Sequence, residues 1–359
     1  MTRQRTLMKG NEAIAEAAIY ADCRFYAGYP ITPQNEIPEY LSRRMPEVGG
    51  VFIQAESEIS AINMVYGAAA AGVRAMTSSS SPGISLKQEG ISFLAGAELP
   101  SVIVNMQRGG PGLGNISGSQ SDYFQSVKGG GHGDYRLLVY APCNVQEMWD
   151  LTLLSFDKAD LYRNPVLILA DAILGQMMEP FYPTPYVKPD LPQKDWALTG
   201  CLNRAPNIIR TLYMEDGMLE EKNNILADKY RQMRASEVRY EAIDVEDAVI
   251  IVVAFGSAAR IALSAIKTHQ KEGLKVGLFR PITLYPFPEK ELNNLANKDV
   301  KFLTIELNTG QMVEDVRLAV NGKAEVLFYG RAGGAIIRSN DVYDVINSCY
   351  AEKQKNSAT

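Results

Sequence analysis

Two short runs, Ser101-Val102-Ile103-Val104-Asn105-Met106 and Pro165-Val166-Leu167-Ile168-Leu169-Ala170, limit the fold more than any other part of the sequence. Each is apolar at nearly every position rather than at every second one, so both faces of the strand must be covered. Further strand-like runs stand at 24–27, 51–53, 74–77 and 137–140, separated by helical patterns at 11–21, 58–72 and 145–161. Such alternation implies a doubly wound α/β fold, a parallel sheet with helices on both faces. A second series has strands at 248–255, 276–279, 302–305 and 326–329 and a helix over 257–272, and reads as a smaller α/β domain. Between the two, Pro180, Pro183, Pro185, Pro189, Pro192 and Pro206 mark an extended linker that cannot hold a helix or a central strand. A charged helical stretch over 218–239 follows it. The expected organisation is a first domain over 1–180, linker and charged helix over 181–245, a second domain over 246–345 and a tail over 346–359, frayed from 351.

Composition narrows the function. A net charge of −5 and the lack of a basic, aromatic-interleaved patch argue against nucleic acid as a partner. No apolar run reaches membrane-spanning length, and Met1-Thr2-Arg3-Gln4-Arg5 is not followed by a signal-type apolar stretch, so the cytoplasm is the expected compartment. Cys23, Cys143, Cys201 and Cys349 form no C-x-x-C pair, and His132 and His269 are too few for a histidine-based metal centre.

In open α/β sheets ligands collect outside the carboxyl ends of strands, and several polar features fall there. In Gly28-Tyr29-Pro30-Ile31-Thr32-Pro33 the two prolines make a stiff corner that presents the Thr32 hydroxyl. The same residues suit a helix N-cap at Thr32 with Pro33 at the first helical position, and the two roles are compatible. Glu58 opens a helix rich in small residues, where a partly buried carboxylate is suited to proton exchange with a heterocycle. Alternatively, Glu56 and Glu58 merely complement the positive end of that helix. The turn from Thr77 through Ser80, Ser81 and Gly83 offers hydroxyls to a ligand, or caps a helix expected from about Ile84. Arg108 follows the buried strand and opens the run Gly109-Gly110-Pro111-Gly112-Leu113-Gly114. Its guanidinium is placed to pair with a substrate carboxylate, or else stands at the surface beside a flexible loop. The glycine run lacks Gly-Lys-Ser/Thr and is not a phosphate-binding P-loop. His132, in a glycine-rich stretch, is given no catalytic role.

Taken in order, Lys9-Gly10-Asn11-Glu12-Ala13, Tyr29-Pro30-Ile31-Thr32-Pro33, the Glu58 helix, residues 77–83, Gln107-Arg108-Gly109-Gly110-Pro111 and His132-Gly133-Asp134-Tyr135 resemble the α subunit of the 2-oxoacid:ferredoxin oxidoreductases. The resemblance covers essentially the whole chain, and implies a thiamine pyrimidine-binding domain at 1–180. Arg280-Pro281-Ile282-Thr283-Leu284-Tyr285-Pro286-Phe287-Pro288 resembles an element of transketolase-type C-terminal domains, which implies that type for 246–345. By resemblance, Glu58, nine residues before Gly67, matches the glutamate that bonds the pyrimidine nitrogen of thiamine diphosphate, which favours it over Glu56. Thr32 matches the threonine that contacts the carboxylate and keto group of the substrate, and Arg108 the arginine that pairs with that carboxylate. The resemblance implies that Pro30, Ile31, Ser80, Ser81 and Gly83 lie along the cofactor. Ser81 departs from the family, where a glycine is common.

The activity implied is oxidative decarboxylation of a 2-oxoacid, with coenzyme A accepting the acyl group and ferredoxin the electrons. Asn105-Met106-Gln107-Arg108 and Gly114-Asn115-Ile116-Ser117 look closest to the branched-chain, 2-oxoisovalerate type; 2-oxoglutarate and pyruvate enzymes share the mechanism. The chain has neither the Gly-Asp-Gly motif that holds diphosphate and Mg²⁺ nor cysteines for a [4Fe–4S] cluster. The resemblance therefore implies a β subunit carrying both, with γ and ferredoxin-like δ subunits relaying electrons. Two rivals are a non-catalytic assembly subunit and a nicotinamide-dependent dehydrogenase using Gly109–Gly114. The second is poor, because Pro111 interrupts that loop and no G-x-G-x-x-G junction exists.

Overall fold

The two runs that are apolar at nearly every position become strands buried along their whole length, at the centre of a seven-stranded sheet. The structure is a computed structural model that describes residues 5–357. In chain order the first part comprises β1 (Thr6–Lys9), α1 (Gly10–Tyr20), β2 (Phe25–Gly28), α2 (Glu36–Glu47), β3 (Val51–Gln54), α3 (Glu58–Ala70), β4 (Ala75–Ser79) and α4 (Ser81–Gly96). It continues with β5 (Ser101–Gln107), α5 (Tyr123–Val127), β6 (Leu138–Tyr140), α6 (Val145–Tyr162), β7 (Pro165–Asp171), α7 (Ala172–Gln176) and β8 (Met178–Phe181). After a long connection come α8 (Met218–Ser236), β9 (Tyr240–Ile243), β10 (Ile250–Val253), α9 (Gly256–Lys271), β11 (Val276–Pro281) and β12 (Thr283–Tyr285). The last elements are α10 (Glu289–Leu295), β13 (Lys301–Glu306), α11 (Met312–Val320), β14 (Glu325–Gly330) and α12 (Ser339–Ser357).

The main sheet runs β12-β6-β7-β5-β4-β2-β3 and is parallel except for β12. One face is covered by α1, α2 and α6 through Ile14, Leu41, Met148 and Trp149; the other by α3 and α4 through Ile62, Val65, Ile91 and Leu94. From β2 the chain steps outward to β3 and then returns past β2 to β4, so the strand order reverses between β2 and β4. Such a reversal splays the flanking loops apart and leaves a crevice at the carboxyl ends of the strands.

A second sheet, β14-β13-β10-β11-β9, is parallel except for β9, which continues the charged helix α8. Within the Arg280–Pro288 segment, Thr283–Tyr285 leave this sheet and pair with β6 at the edge of the main one. Gln120 adds a second tie, its N–H donating to Leu307 O at 3.0 Å while its side-chain oxygen accepts from Leu307 N–H at 3.1 Å. The proline-rich stretch holds one strand, β8, which pairs only with β1 and so accommodates Pro180. Residues 351–357 continue α12 as helix rather than fraying. Residues 1–4, part of the N-terminus read for a signal, and the last two residues of the tail lie outside the described residues. Among the described residues no helix is long and apolar enough to cross a membrane.

The extended linker is strapped to the first unit by a buried arginine. Arg74 donates to Asp160 and to Asp157 at 2.8 Å each, to Ala21 O at 2.7 Å and to the Tyr186 hydroxyl at 2.8 Å. Lys194, farther along the linker, reaches the other oxygen of Asp160 at 2.6 Å. Arg74→Leu leaves the half-buried Asp157 without a cation and the buried Asp160 with Lys194 alone, and a loss of about 3 kcal/mol is expected. Urea denaturation followed by fluorescence checks it; an unchanged midpoint contradicts the strap.

Candidate active site at the strand ends of the main sheet

The corner after β2 is held from below and from behind. Tyr26 OH lies 2.7 Å from Ser78 Oγ, which donates to Gln34 Oε1 at 2.5 Å, and Gln34 Nε2 donates to Tyr29 O at 3.3 Å. Gly28 leaves room for this chain, since a Cβ there would stand 2.3 Å from the Tyr26 hydroxyl. Behind the corner, Pro33 O accepts from Asn11 Nδ2 at 2.9 Å and Gln176 Nε2 at 3.1 Å. The same two amides and Lys9 Nζ also donate to the Glu36 carboxylate. Burial works to raise the Glu36 carboxyl, but its own backbone N–H and these donors outweigh it and hold the group below its ordinary range. The Lys9–Asn11 motif thus clamps the corner.

Thr32 is not a helix cap. Helix α2 begins at Glu36 with Asn35 at the capping position, and the Thr32 hydroxyl accepts from Asn35 Nδ2 at 3.3 Å. Thr32 and Ile31 are half-buried and Pro30 is exposed.

Glu58 is the first residue of α3, and the capping work there is done by Ser57, whose Oγ accepts from Ser60 N–H at 3.2 Å. The Glu58 side chain is left to turn inward, and the residue is 6% exposed, whereas Glu56 lies at the surface. Opposite it stands Gly83 in the first turn of α4. A Cβ at position 83 would sit 2.1 Å from Ser79 Oγ and 2.7 Å from Glu58 Oε1. One turn farther along α4, Lys87 is fully buried, its Nζ donating to Thr77 Oγ1 at 3.1 Å and to Glu58 O at 3.4 Å. Burial pushes the Lys87 ammonium down to about 8, against the attraction of the Glu58 charge.

Arg108 is buried rather than at the surface beside its loop. Nη1 donates to Thr32 O at 3.0 Å and Nη2 to Leu113 O at 2.9 Å, while Nε is buried without a partner. An isolated bridge to Gly118 folds the glycine loop back over it. The backbone N–H of Arg108 donates to Ser81 Oγ at 3.0 Å, and that hydroxyl donates to Asp122 Oδ2 at 2.6 Å. Asn105 completes the set: Nδ2 donates to the same Asp122 oxygen at 2.9 Å, and Oδ1 accepts the Ser81 N–H at 3.1 Å. This side-chain acceptor lets α4 begin at Ser81, ahead of the expected Ile84, and gives the departure from glycine at 81 a structural use. Burial raises the Asp122 carboxyl, opposed by the Ser81 and Asn105 donors.

Thr32 after β2, Arg108 after β5, Ser81 and Gly83 after β4, and Glu58 after β3 therefore gather at the carboxyl ends of the strands. The crevice also holds polar atoms with nothing to bind: Ser79 Oγ, Ser80 Oγ and Gln107 Nε2 are buried and unpartnered. Buried polar atoms are nearly always satisfied in a folded chain, so these fit a polar ligand. A buried carboxylate facing a side-chain-free helix turn is compatible with the aminopyrimidine ring that the family resemblance implies. His132 lies apart on an exposed loop. Among the described residues no group of three His, Cys, Asp or Glu side chains is placed to hold a metal ion. Sequence reading gave no site role to Lys87, Asn105 or Asp122. Only Lys87 carried a signal, as a lone charge four residues after Gly83 on a helix face otherwise small or apolar.

Comparison with known proteins places the chain in a family. A thiamine diphosphate-binding family, described as pyruvate flavodoxin/ferredoxin oxidoreductase, matches residues 16–236, and core domain II of pyruvate:ferredoxin oxidoreductase matches 248–342. The chain is 52% identical over 341 residues to ketoisovalerate oxidoreductase subunit VorB of Methanothermobacter thermautotrophicus, covering 95% of this chain and 96% of that one. It is 37% identical over 370 residues to 2-oxoglutarate synthase subunit KorA of the same organism, covering 94% and 97%. The chain belongs to the 2-oxoacid:ferredoxin oxidoreductase family, as an α-type subunit. The solved 2-oxoglutarate:ferredoxin oxidoreductase from Magnetococcus marinus, with 2-oxoglutarate, coenzyme A and succinyl-CoA bound, superposes with a TM-score of 0.87 at 25% identity. That match covers 96% of this chain but 65% of the longer one. A split-gene transketolase shares the fold alone, with a TM-score of 0.57 at 13% identity.

Gly83→Ala tests the tightness of the contact. Its methyl group must displace Ser79 or Glu58, and a loss of about 1–3 kcal/mol is expected on thermal or urea unfolding. Ser79→Ala in the same chain removes the closest contact and is expected to recover part of the loss.

Proposed function

We propose that this chain supplies the pyrimidine side of a thiamine diphosphate site shared with a β subunit, in a complex that oxidatively decarboxylates 2-oxoisovalerate to an acyl-CoA and CO₂. The observation that carries the reading is the Glu58 carboxylate, buried against a position where a side chain would collide with it. Identity of 52% to a ketoisovalerate oxidoreductase subunit, against 37% to a 2-oxoglutarate synthase subunit, supports the branched-chain substrate.

When bound, thiamine diphosphate supplies the nucleophile that attacks the keto carbon and the electron sink for loss of CO₂. Glu58 would hold the ring nitrogen and exchange a proton with it at a carboxylate oxygen, in a pocket from which α3 and α4 exclude water. Gly83, Ser80 and Ser81 form the wall beside it, and Pro30 and Ile31 the rim. Thr32 presents its hydroxyl to the carboxylate and keto group of the substrate. Arg108 has two donors spent on the Thr32 and Leu113 carbonyls, which fix the plane of the fork. The remaining donors, the unpartnered Nε–H among them, are free to pair with the substrate carboxylate.

The rest of the enzyme lies in other chains. The sequence has no Gly-Asp-Gly motif and no cysteine set for a cluster, and its relatives are named as subunits. The β subunit carries the diphosphate and Mg²⁺ site and a [4Fe–4S] cluster; γ and ferredoxin-like δ subunits pass electrons to ferredoxin. The complex works in the cytoplasm.

The test is coenzyme A-dependent reduction of a viologen dye by the co-expressed complex, with 2-oxoisovalerate, 2-oxoglutarate and pyruvate in turn. The highest kcat/KM is expected with 2-oxoisovalerate, and Glu58→Gln is expected to lower kcat by about 10²-fold or more. Arg108→Leu should raise KM for the oxoacid by about 10-fold or more, the loss of one charged hydrogen-bonding group. Full rate in Glu58→Gln overturns the role of Glu58. Bound thiamine diphosphate with no oxoacid turned over points to a silent assembly subunit, and dependence on added NAD to a dehydrogenase.

A further inference from the structure

Two arginines face one cavity at the amino ends of β5 and β7, and neither has an acid to pair with. The cavity, of about 430 Å³, lies between the ends of α4 and α6, the linker and α8, and its lining includes Arg163, Trp196, Asn207, Arg210, Tyr213 and Lys222 but no carboxylate of the described residues. The Arg163 guanidinium lies over the Trp196 ring at 4.6 Å, and that of Arg210 over the Tyr213 ring at 4.9 Å. Stacking engages the face of a guanidinium and leaves its N–H donors, which point outward in its plane, for another partner. Arg163 Nε is buried without one, and among the described residues neither guanidinium takes part in an ion pair or a hydrogen bond. Arg163 also ends α6 in the left-handed region, at φ +47°, where glycine is the usual choice. Burial pulls its guanidinium below the ordinary range, and the nearby Glu98 and Asp195 oppose this only in part. The Glu98 carboxylate is already engaged by Lys222 and, at 3.1 Å, by Lys229. Carbonyls at the two helix ends, which would repel an anion, are bonded as well. Leu94 O accepts the Leu99 N–H at 2.9 Å, Ala159 O the Asn164 N–H at 3.2 Å, and Arg163 O the Lys229 ammonium at 3.1 Å.

We propose that this cavity is a binding site for the phosphoryl group of a small metabolite, held between the Arg163 and Arg210 guanidinium groups. Two unpaired cations match a phosphate monoester, which carries a charge of about −1.5 to −2 at pH 7. The planar forks match its oxygens, which can accept two N–H donors from each arginine. Stacking on Trp196 and Tyr213 holds both forks before the ligand arrives, so less freedom is lost on binding. The linker segment that carries Arg210 is itself fastened, because Asn207 Nδ2 donates to Ala197 O at 3.0 Å. The volume is in the range of small-molecule sites and exceeds what phosphate alone would fill. A ligand here would tie the linker to the end of α6. The crevice of Glu58 and Arg108 stands at the opposite, carboxyl ends of the strands, so the proposal does not depend on how that crevice is read.

The experiment reads Trp196. It is one of two tryptophans in the chain, and the other, Trp149, is buried in the core. The fluorescence of the co-expressed complex is titrated with inorganic phosphate and with AMP at constant ionic strength, with chloride as the control. A Trp196→Phe complex supplies the signal of every other tryptophan. A saturable change is expected that is lost in Trp196→Phe, while calorimetry still detects binding to that variant. Arg163→Gln and Arg210→Gln are each expected to raise Kd by about 10-fold or more, the loss of one charged hydrogen-bonding group. Arg210 is exposed, so its variant serves alone should Arg163→Gln fail to assemble. Tighter binding of AMP than of phosphate identifies an ester as the ligand, and equal or weaker binding identifies free phosphate; both support the site. No saturable change with either anion, the same change with chloride, or affinities untouched by the arginine variants overturns the proposal.

Discussion

The first turn of α4 passes so close to α3 that position 83 has no room for a side chain, and the crevice is built around that contact. It carries Glu58 out of water, brings the Ser79 and Ser80 hydroxyls into the interior without partners, and sets Lys87 against the main-chain carbonyl of Glu58. A larger residue at 83 would have to displace the Ser79 or Glu58 side chain. The tight approach is possible because Ser57, not Glu58, caps α3, and because the Asn105 side chain receives the first N–H of α4. Each helix start is satisfied by a neighbour, which leaves the carboxylate and hydroxyls of the crevice uncommitted.

Arg108 does for the other wall what Gly83 does for this one. By donating to carbonyls of Thr32 and Leu113 it ties the loop after β5 to the corner after β2, across the point where the strand order reverses. Its backbone N–H reaches Ser81 at the start of α4, so three strand ends are linked through one residue. The corner itself is stiffened from the opposite side by Asn11 and Gln176 on Pro33 O. Rigid elements and satisfied outer bonds of this kind are what a site needs to hold a ligand in one orientation.

Much of this was legible in the sequence because periodicity and position along the chain carry it. Two-sided apolar runs announced β5 and β7, and the rule that ligands gather at strand ends singled out Thr32, the turn at 77–83 and Arg108, with Glu58 on a helix between them. What stayed hidden depends on contacts between distant residues. Thr32 followed by Pro33 has the look of a cap, yet the helix waits for Glu36 because the Pro33 carbonyl is occupied by Asn11 and Gln176. The Thr283–Tyr285 strand is too short to announce itself, and only the open edge of β6 explains why it leaves its own sheet. Arg108 could be read as exposed because nothing local reveals that the loop folds back on it. Lys87 escaped notice because a single lysine in a helix ordinarily points to water.

The central claim is that the Glu58 carboxylate holds the pyrimidine of a cofactor whose diphosphate lies in another chain. A cryo-electron microscopy map of the assembled complex with thiamine diphosphate and Mg²⁺ tests it most directly. The account predicts a ring nitrogen within about 2.6–3.2 Å of a Glu58 oxygen, the ring lying against Gly83, and the diphosphate on a neighbouring subunit. A cofactor seated away from Glu58, or held entirely by the partner, would contradict it.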